Sequence, residues 1–227
     1  MKIFLYSLCY IQRKHNSVLL LTENGEQYKI DIMIIKNLEG KMDIKEILER
    51  NPIIPAVKNE NYLQEAMECG SEIVFVIMSN LINIQDIVEK LKSAEKIVFV
   101  HVDMIEGLSS SNYGVDYLMA HTKADGIITT KHNIVAFAKK NNIKVIQRFF
   151  ILDSFSFKNT ITHIRENKPD AVEILPGVMP KIIKRTCNLV NIPVITGGLI
   201  DEKEDIINAL NSGAEGISTT DITLWDF

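Results

Sequence analysis

The stretch Asn191-Ile192-Pro193-Val194-Ile195-Thr196-Gly197-Gly198-Leu199-Ile200, followed after one intervening run by Gly213-Ala214-Glu215-Gly216-Ile217-Ser218-Thr219-Thr220-Asp221, decides the fold. Each half is a short apolar run bounded by turn residues, the pattern of a buried strand. Between them, from near Asp201 to the stop at Gly213, apolar residues recur at helical spacing. The unit is therefore strand, glycine loop, helix, strand.

Outward from this unit the same pattern recurs. Ile- and Val-rich runs begin near Ile53, Ile73, Ile97, Gly126, Lys144, Ala171, Pro193 and Gly216. Helical stretches start near Glu60, Asn83, Tyr113, Lys131, Ser154, Pro180 and Asp201, with stop signals at Gly70, Asn141-Asn142 and Gly213. Parallel strands need long right-handed crossovers, so strands alternating with helices in this number predict closure as a single (β/α)8 barrel over residues 42–227. An open doubly wound sheet is the rival, but no GxGxxG follows the first strand.

Residues 1–41 stand outside the repeat as an extra N-terminal segment. Val18–Glu23 and Glu26–Ile35 flank Asn24-Gly25, the signature of a hairpin with a tight turn. Leu38-Glu39-Gly40-Lys41-Met42 can also be encoded with a GGAGG ribosome-binding sequence, which would make Met42 the start; both readings stand. The opening residues resemble a secretory apolar core, but Gln12, Arg13 and Lys14 follow without a small-residue cleavage site. With no long apolar run, the expectation is a cytoplasmic protein without membrane contact.

The 227 residues are 46% hydrophobic and 24% charged, with net charge −4, and residues 42–227 carry 19 basic against 25 acidic side chains. An acidic chain is no general polyanion binder, so any nucleic-acid contact is a local patch. Cys9, Cys69 and Cys187 lack the spacing of a disulfide framework or zinc site. No metal or cofactor is expected.

Phosphate in such barrels commonly sits at the loops after strands seven and eight. Gly197 and Gly198 let backbone N–H groups approach an anion, while Thr196, Ser218, Thr219 and Thr220 add donors where a short extra helix starts. Strand three, Ile97–Asp103, places His101 and Asp103 on one face by period-two alternation, and strand six turns Glu173 inward. Arg148 at the end of strand five and Lys58 at the end of strand one are the cationic candidates, Arg148 as partner of Glu173 or phosphate ligand. The polar loop Glu106–Gly114 is a candidate lid. The basic sets Lys139, Lys140, Lys144 and Lys181, Lys184, Arg185 read as solvated helix faces.

Asn51–Val57, Val100–Gly107, Ile146–Asp153, Glu173–Val178 and Thr196–Ile200, taken in order, closely resemble the glycerol-uptake operon antiterminator regulatory proteins. The resemblance covers nearly all of residues 51–225. It implies a barrel that recognises glycerol 3-phosphate as an effector and promotes transcription through a terminator in the leader mRNA of glycerol-use genes. It implies no catalytic residues. The alternative from the residues alone is a phosphosugar or glycerol-phosphate enzyme using His101, Asp103 and Glu173.

Overall fold

Alternation of four- to seven-residue strands with helices closes into a barrel, as the repeat requires. The computed structural model describes residues 11–14, 17–21, 27–31 and 43–227. The chain divides into two compact units, Met1–Asp43 and Ile44–Phe227.

In the first unit, Ser17–Leu21 pairs antiparallel with Gln27–Asp31, Leu21 opposite Gln27. A further strand, Ile11–Lys14, pairs with the other edge of Ser17–Leu21, which the sequence reading did not anticipate. Asn24-Gly25, Met42 and Cys9 lie outside the described residues.

In the second unit the barrel strands are β1 (Ile53–Val57), β2 (Ile73–Val76), β3 (Ile97–His101), β4 (Gly126–Thr129), β5 (Lys144–Phe150), β6 (Ala171–Leu175), β7 (Val194–Gly197) and β8 (Gly216–Thr219). They pair parallel in sequence order, and β8 closes on β1 through Ile217–Thr219 beside Ile53–Pro55. The helices are α1 (Ile44–Arg50), α2 (Leu63–Glu68), α3 (Ile84–Ser93), α4 (Asn112–His121), α5 (His132–Lys140), α6 (Ser154–Asn167), α7 (Pro180–Cys187) and α8 (Lys203–Asn211). Strand starts match the expected ones to within one residue. The α1 helix was not anticipated, because seven residues are too few to show helical periodicity.

One face of each strand meets the helices. Val74, Val76, Val98, Val100 and Val102 join Val88 and Leu91 of α3 and Val115 and Leu118 of α4 in the largest buried cluster. The other face fills the barrel, where Phe75 and Phe99 meet edge to face at 6.1 Å. At the N-terminal end, α1 lays the buried Leu48 so close to Gly216 that a Cβ there would stand 3.0 Å from its Cδ2.

Three carboxylates repeat one device at this end. Asp125, Asp170 and Glu215 each precede an even-numbered strand and accept the N–H of the odd strand before it, from Val98 (2.8 Å), Val145 (3.1 Å) and Val194 (3.2 Å) respectively. Lys92, Lys144 with Lys139, and Lys45 neutralise them at 2.6–3.1 Å. These three carboxylates are thus structural, and Lys139 and Lys144 are ion-paired rather than free.

Among the described residues no helix is long and apolar enough to cross a membrane, and no group of three or more His, Cys, Asp or Glu is arranged to hold a metal. Cys69 is buried, and burial pushes the Cys187 thiol up to about 11 while its Sγ donates to the Gly213 carbonyl at 3.1 Å.

Candidate functional site at the C-terminal mouth

Alternation turns Arg148 of β5 and Glu173 of β6 inward, opposite each other across the β5–β6 ladder. Arg148 Nε donates to Glu173 Oε2 at 2.5 Å, and Ser218 Oγ of β8 donates to Glu173 Oε1 at 2.5 Å. Glu173 is fully buried, so both its oxygens are satisfied inside the barrel, as burial of a carboxylate demands. The terminal guanidinium nitrogens of Arg148 have no acceptor among the described residues and border a cavity of about 130 Å3.

That cavity is walled by Glu173, Ser218, Thr219 and Thr220 and by the loop Gly198–Asp201, with Ala56, Ile77 and Leu175 supplying apolar surface. The N–H groups of Leu199 and Thr220 find no acceptor among the described residues. The loop is shaped by Gly198 at φ +75 and Leu199 at φ +60, both left-handed. A side chain at Gly198 would meet Leu175 Cδ2 at 3.2 Å rather than fill the cavity, so the glycine is needed for its backbone conformation. Gly197 has another reason: its Cβ would fall 2.0 Å from Ser218 Oγ and break the Ser218–Glu173 contact. Leu199 escaped the sequence reading, because nothing in a leucine signals a left-handed backbone.

The remaining candidates do different work. Thr196 donates its hydroxyl to the Ile174 carbonyl at 3.0 Å, between strands. Thr219 donates to the Ile200 carbonyl at 3.1 Å and accepts from the Asp221 N–H, while its carbonyl takes the Trp225 indole N–H at 3.0 Å. The Thr220 hydroxyl, by contrast, has no partner among the described residues. The extra turn after β8 exists as a 3-10 helix, Ile222–Leu224, but Asp221 caps it, accepting from the Thr223 N–H at 2.9 Å. The Thr223 N–H and hydroxyl are therefore taken by a carboxylate. Lys58 is exposed, does not border the cavity and has no partner among the described residues.

His101 and Asp103 act on each other through their charges but share no hydrogen bond among the described residues. The strand ends at His101, and a 3-10 turn over Val102–Met104 breaks the alternation on which the pairing rested. Asp103 turns to the end of β4, accepting from Thr129 Oγ1 (2.9 Å), Thr130 N–H (2.7 Å) and Thr130 Oγ1 (2.9 Å). These bonds outweigh burial and hold its carboxyl below the ordinary range. His101 is 2% exposed, and its Nδ1 is a buried atom without a partner. Burial first, and then the Arg148 guanidinium, push it down to about 4, so it is neutral at pH 7. The segment Glu106–Gly114 is pinned rather than hanging free: Glu106 accepts from the Leu81 N–H at 2.9 Å, and Ser111 caps α4.

Fold and site together define a (β/α)8 barrel with a small polar cavity at its C-terminal mouth. The model of the glycerol-3-phosphate responsive antiterminators matches residues 53–225, and the chain belongs to that family. It is 39% identical over 184 residues to the uncharacterized protein YgcP of Escherichia coli (strain K12), covering 81% of this chain and 96% of that one. Among solved structures it is similar to the glycerol uptake operon antiterminator regulatory protein of Listeria monocytogenes str. 4b F2365, at TM-score 0.74 and 30% identity over 77% of this chain and 95% of that one. A glycerol uptake operon antiterminator-related protein of Thermotoga maritima MSB8 matches at TM-score 0.70 and 32% identity, over 77% and 98% of the two chains.

Proposed function

We propose that this protein is a cytoplasmic sensor that binds glycerol 3-phosphate at the C-terminal mouth of its barrel and, when loaded, binds the leader mRNA of glycerol-use genes so that transcription passes a terminator. The observation that carries the ligand is the cavity itself. At about 130 Å3 it suits a phosphorylated three-carbon compound better than a nucleotide. The phosphate would meet the free N–H groups of Leu199 and Thr220 and the Arg148 fork. Family membership supports the effector and the RNA partner.

A regulator rather than an enzyme is favoured by the state of His101. A general base needs a proton acceptor tuned near neutrality, and burial holds His101 well below that. Glu173 is held on both oxygens.

Binding of labelled leader RNA at fixed salt, with glycerol 3-phosphate against inorganic phosphate as control, tests the reading. The effector should tighten RNA binding by a coupling of about 1–3 kcal/mol, and it should be recovered unchanged after incubation with a divalent metal. Equal affinity in every case, or consumption of the ligand, overturns it. In Gly198→Val, strain at a left-handed position should cost at least about tenfold in effector affinity by calorimetry; unchanged affinity moves the site elsewhere.

A further inference from the structure

Of the cations of the barrel unit, Lys45, Arg50, Lys92, Lys123, Lys139, Lys144 and Arg148 form salt bridges. Helices α6 and α7 bring together a group that does not. Lys158, Arg165 and Lys168 on or just after α6, and Lys181, Lys184 and Arg185 on α7, are all exposed, and none forms a salt bridge among the described residues. The helices themselves carry one acidic residue, Glu166, and the nearby Asp153 is engaged in capping α6.

Lys158, Arg165, Lys168 and Arg185 border a continuous depression. Three adjoining cavities, of about 210, 450 and 470 Å3, follow the α6–α7 seam and share Phe157 with Arg185, then Arg165 with Leu189. The Arg185 guanidinium lies 4.4 Å over the Phe157 ring, which holds it along the floor of the groove. Lys158 and Arg165 are seven residues apart, about 10 Å along a helix at 1.5 Å per residue. At the mouth end, beside Ser154, Phe155 is 72% exposed on α6, an aromatic face with no packing partner to explain it.

We infer that the α6–α7 groove is the surface that grips single-stranded RNA, its cations on successive phosphates and Phe155 stacking on a base; this rests on the RNA-binding function proposed above. Unpaired cations along a groove beside an exposed aromatic are the combination that single-strand recognition uses. The position also suits effector control. The two helices directly follow β5 and β6, which carry Arg148 and Glu173, and the Gly177 N–H, three residues before α7, donates to the carbonyl of Gly198 in the cavity loop at 2.9 Å.

The test compares the full chain with Arg165→Gln/Arg185→Gln, and with Lys158→Gln/Lys168→Gln, whose side chains have no partner among the described residues to lose should the arginine pair fail to fold. Lys123→Gln is the control, being exposed and paired only with Glu89. With glycerol 3-phosphate present, each double variant should bind labelled leader RNA at least about tenfold more weakly. The slope of log affinity against log salt should flatten by about 1.4, at about 0.7 per lost contact to a single strand. Effector affinity by calorimetry should be unchanged. Unaltered RNA affinity and slope in both double variants, with the unsubstituted chain still binding, overturns the groove and leaves the proposed function standing; an equal loss in Lys123→Gln also overturns it. Failure of the unsubstituted chain to bind leader RNA with effector present overturns both.

Discussion

At the N-terminal end of the barrel Asp125, Asp170 and Glu215 repeat one arrangement before β4, β6 and β8, whereas at the C-terminal end the strands finish differently. There β3 ends in a buried, unpartnered histidine, β5 and β6 end in an arginine–glutamate pair, and β7 runs into a left-handed loop. The repeated end satisfies its polar groups with one another and packs Leu48 behind them. The varied end leaves specific atoms unsatisfied next to a cavity. Barrels of this class put stability at one end and ligand chemistry at the other, and here the division is visible atom by atom.

The largest expected effect lies at the varied end. Glu173→Leu leaves Arg148 buried and unpaired, which should cost about 3–5 kcal/mol, while Arg148→Met combined with Glu173→Leu should recover most of that loss and still fail to bind effector. Urea unfolding midpoints decide the matter. A single variant as stable as the unsubstituted protein would show that the pair is not desolvated.

Leu48→Ala should cost about 3 kcal/mol through the cavity it leaves, with effector affinity by calorimetry unaltered. A marked change in that affinity would break the division between the two ends.

The His101 effect is read against pH. Its folded value, about 4, lies below the ordinary 6.5, so under acid conditions the unfolded chain binds a proton that the native one refuses. Stability should therefore be intact above pH 6.5 and fall toward pH 4, by at most about 3 kcal/mol at 1.36 kcal/mol per pH unit. Asp103, depressed below 3.8, adds a further loss at lower pH. His101→Gln should flatten the upper part of this decline in thermal melts from pH 7 to 4; an unchanged profile would place the titration elsewhere.

The smallest effect sharpens the boundary of the site. Thr196→Val removes one buried hydrogen bond to Ile174 and should cost about 1 kcal/mol, leaving effector affinity as it was. A loss of affinity there would return Thr196 to the ligand.

Strand positions were legible because each run is short, β-branched and punctuated by turn residues, signals that lie within a few neighbours. Glu173 and Arg148 were readable for the same reason: alternation along an unbroken strand points both inward. The partners of Asp103 at Thr129 and Thr130 were not legible, because the strand stops two residues earlier and nothing local marks that stop. Thr196, Ser218 and Thr219 looked alike as hydroxyls in glycine-flanked runs, yet their acceptors lie 22, 45 and 19 residues away. The charge of Lys181, Lys184 and Arg185 was equally plain, while the absence of carboxylates around it was not.

By itself, then, the order of apolar runs, helices and glycines determined a closed β/α barrel and the end at which a ligand would sit, since both follow from periodicity and chain direction. The tertiary structure alone decided which hydroxyls remain free, that His101 Nδ1 is left without a hydrogen bond among the described residues, and that four cations without salt bridges share one groove. Those properties depend on which distant groups desolvate and satisfy one another, and spacing along the chain carries no record of that.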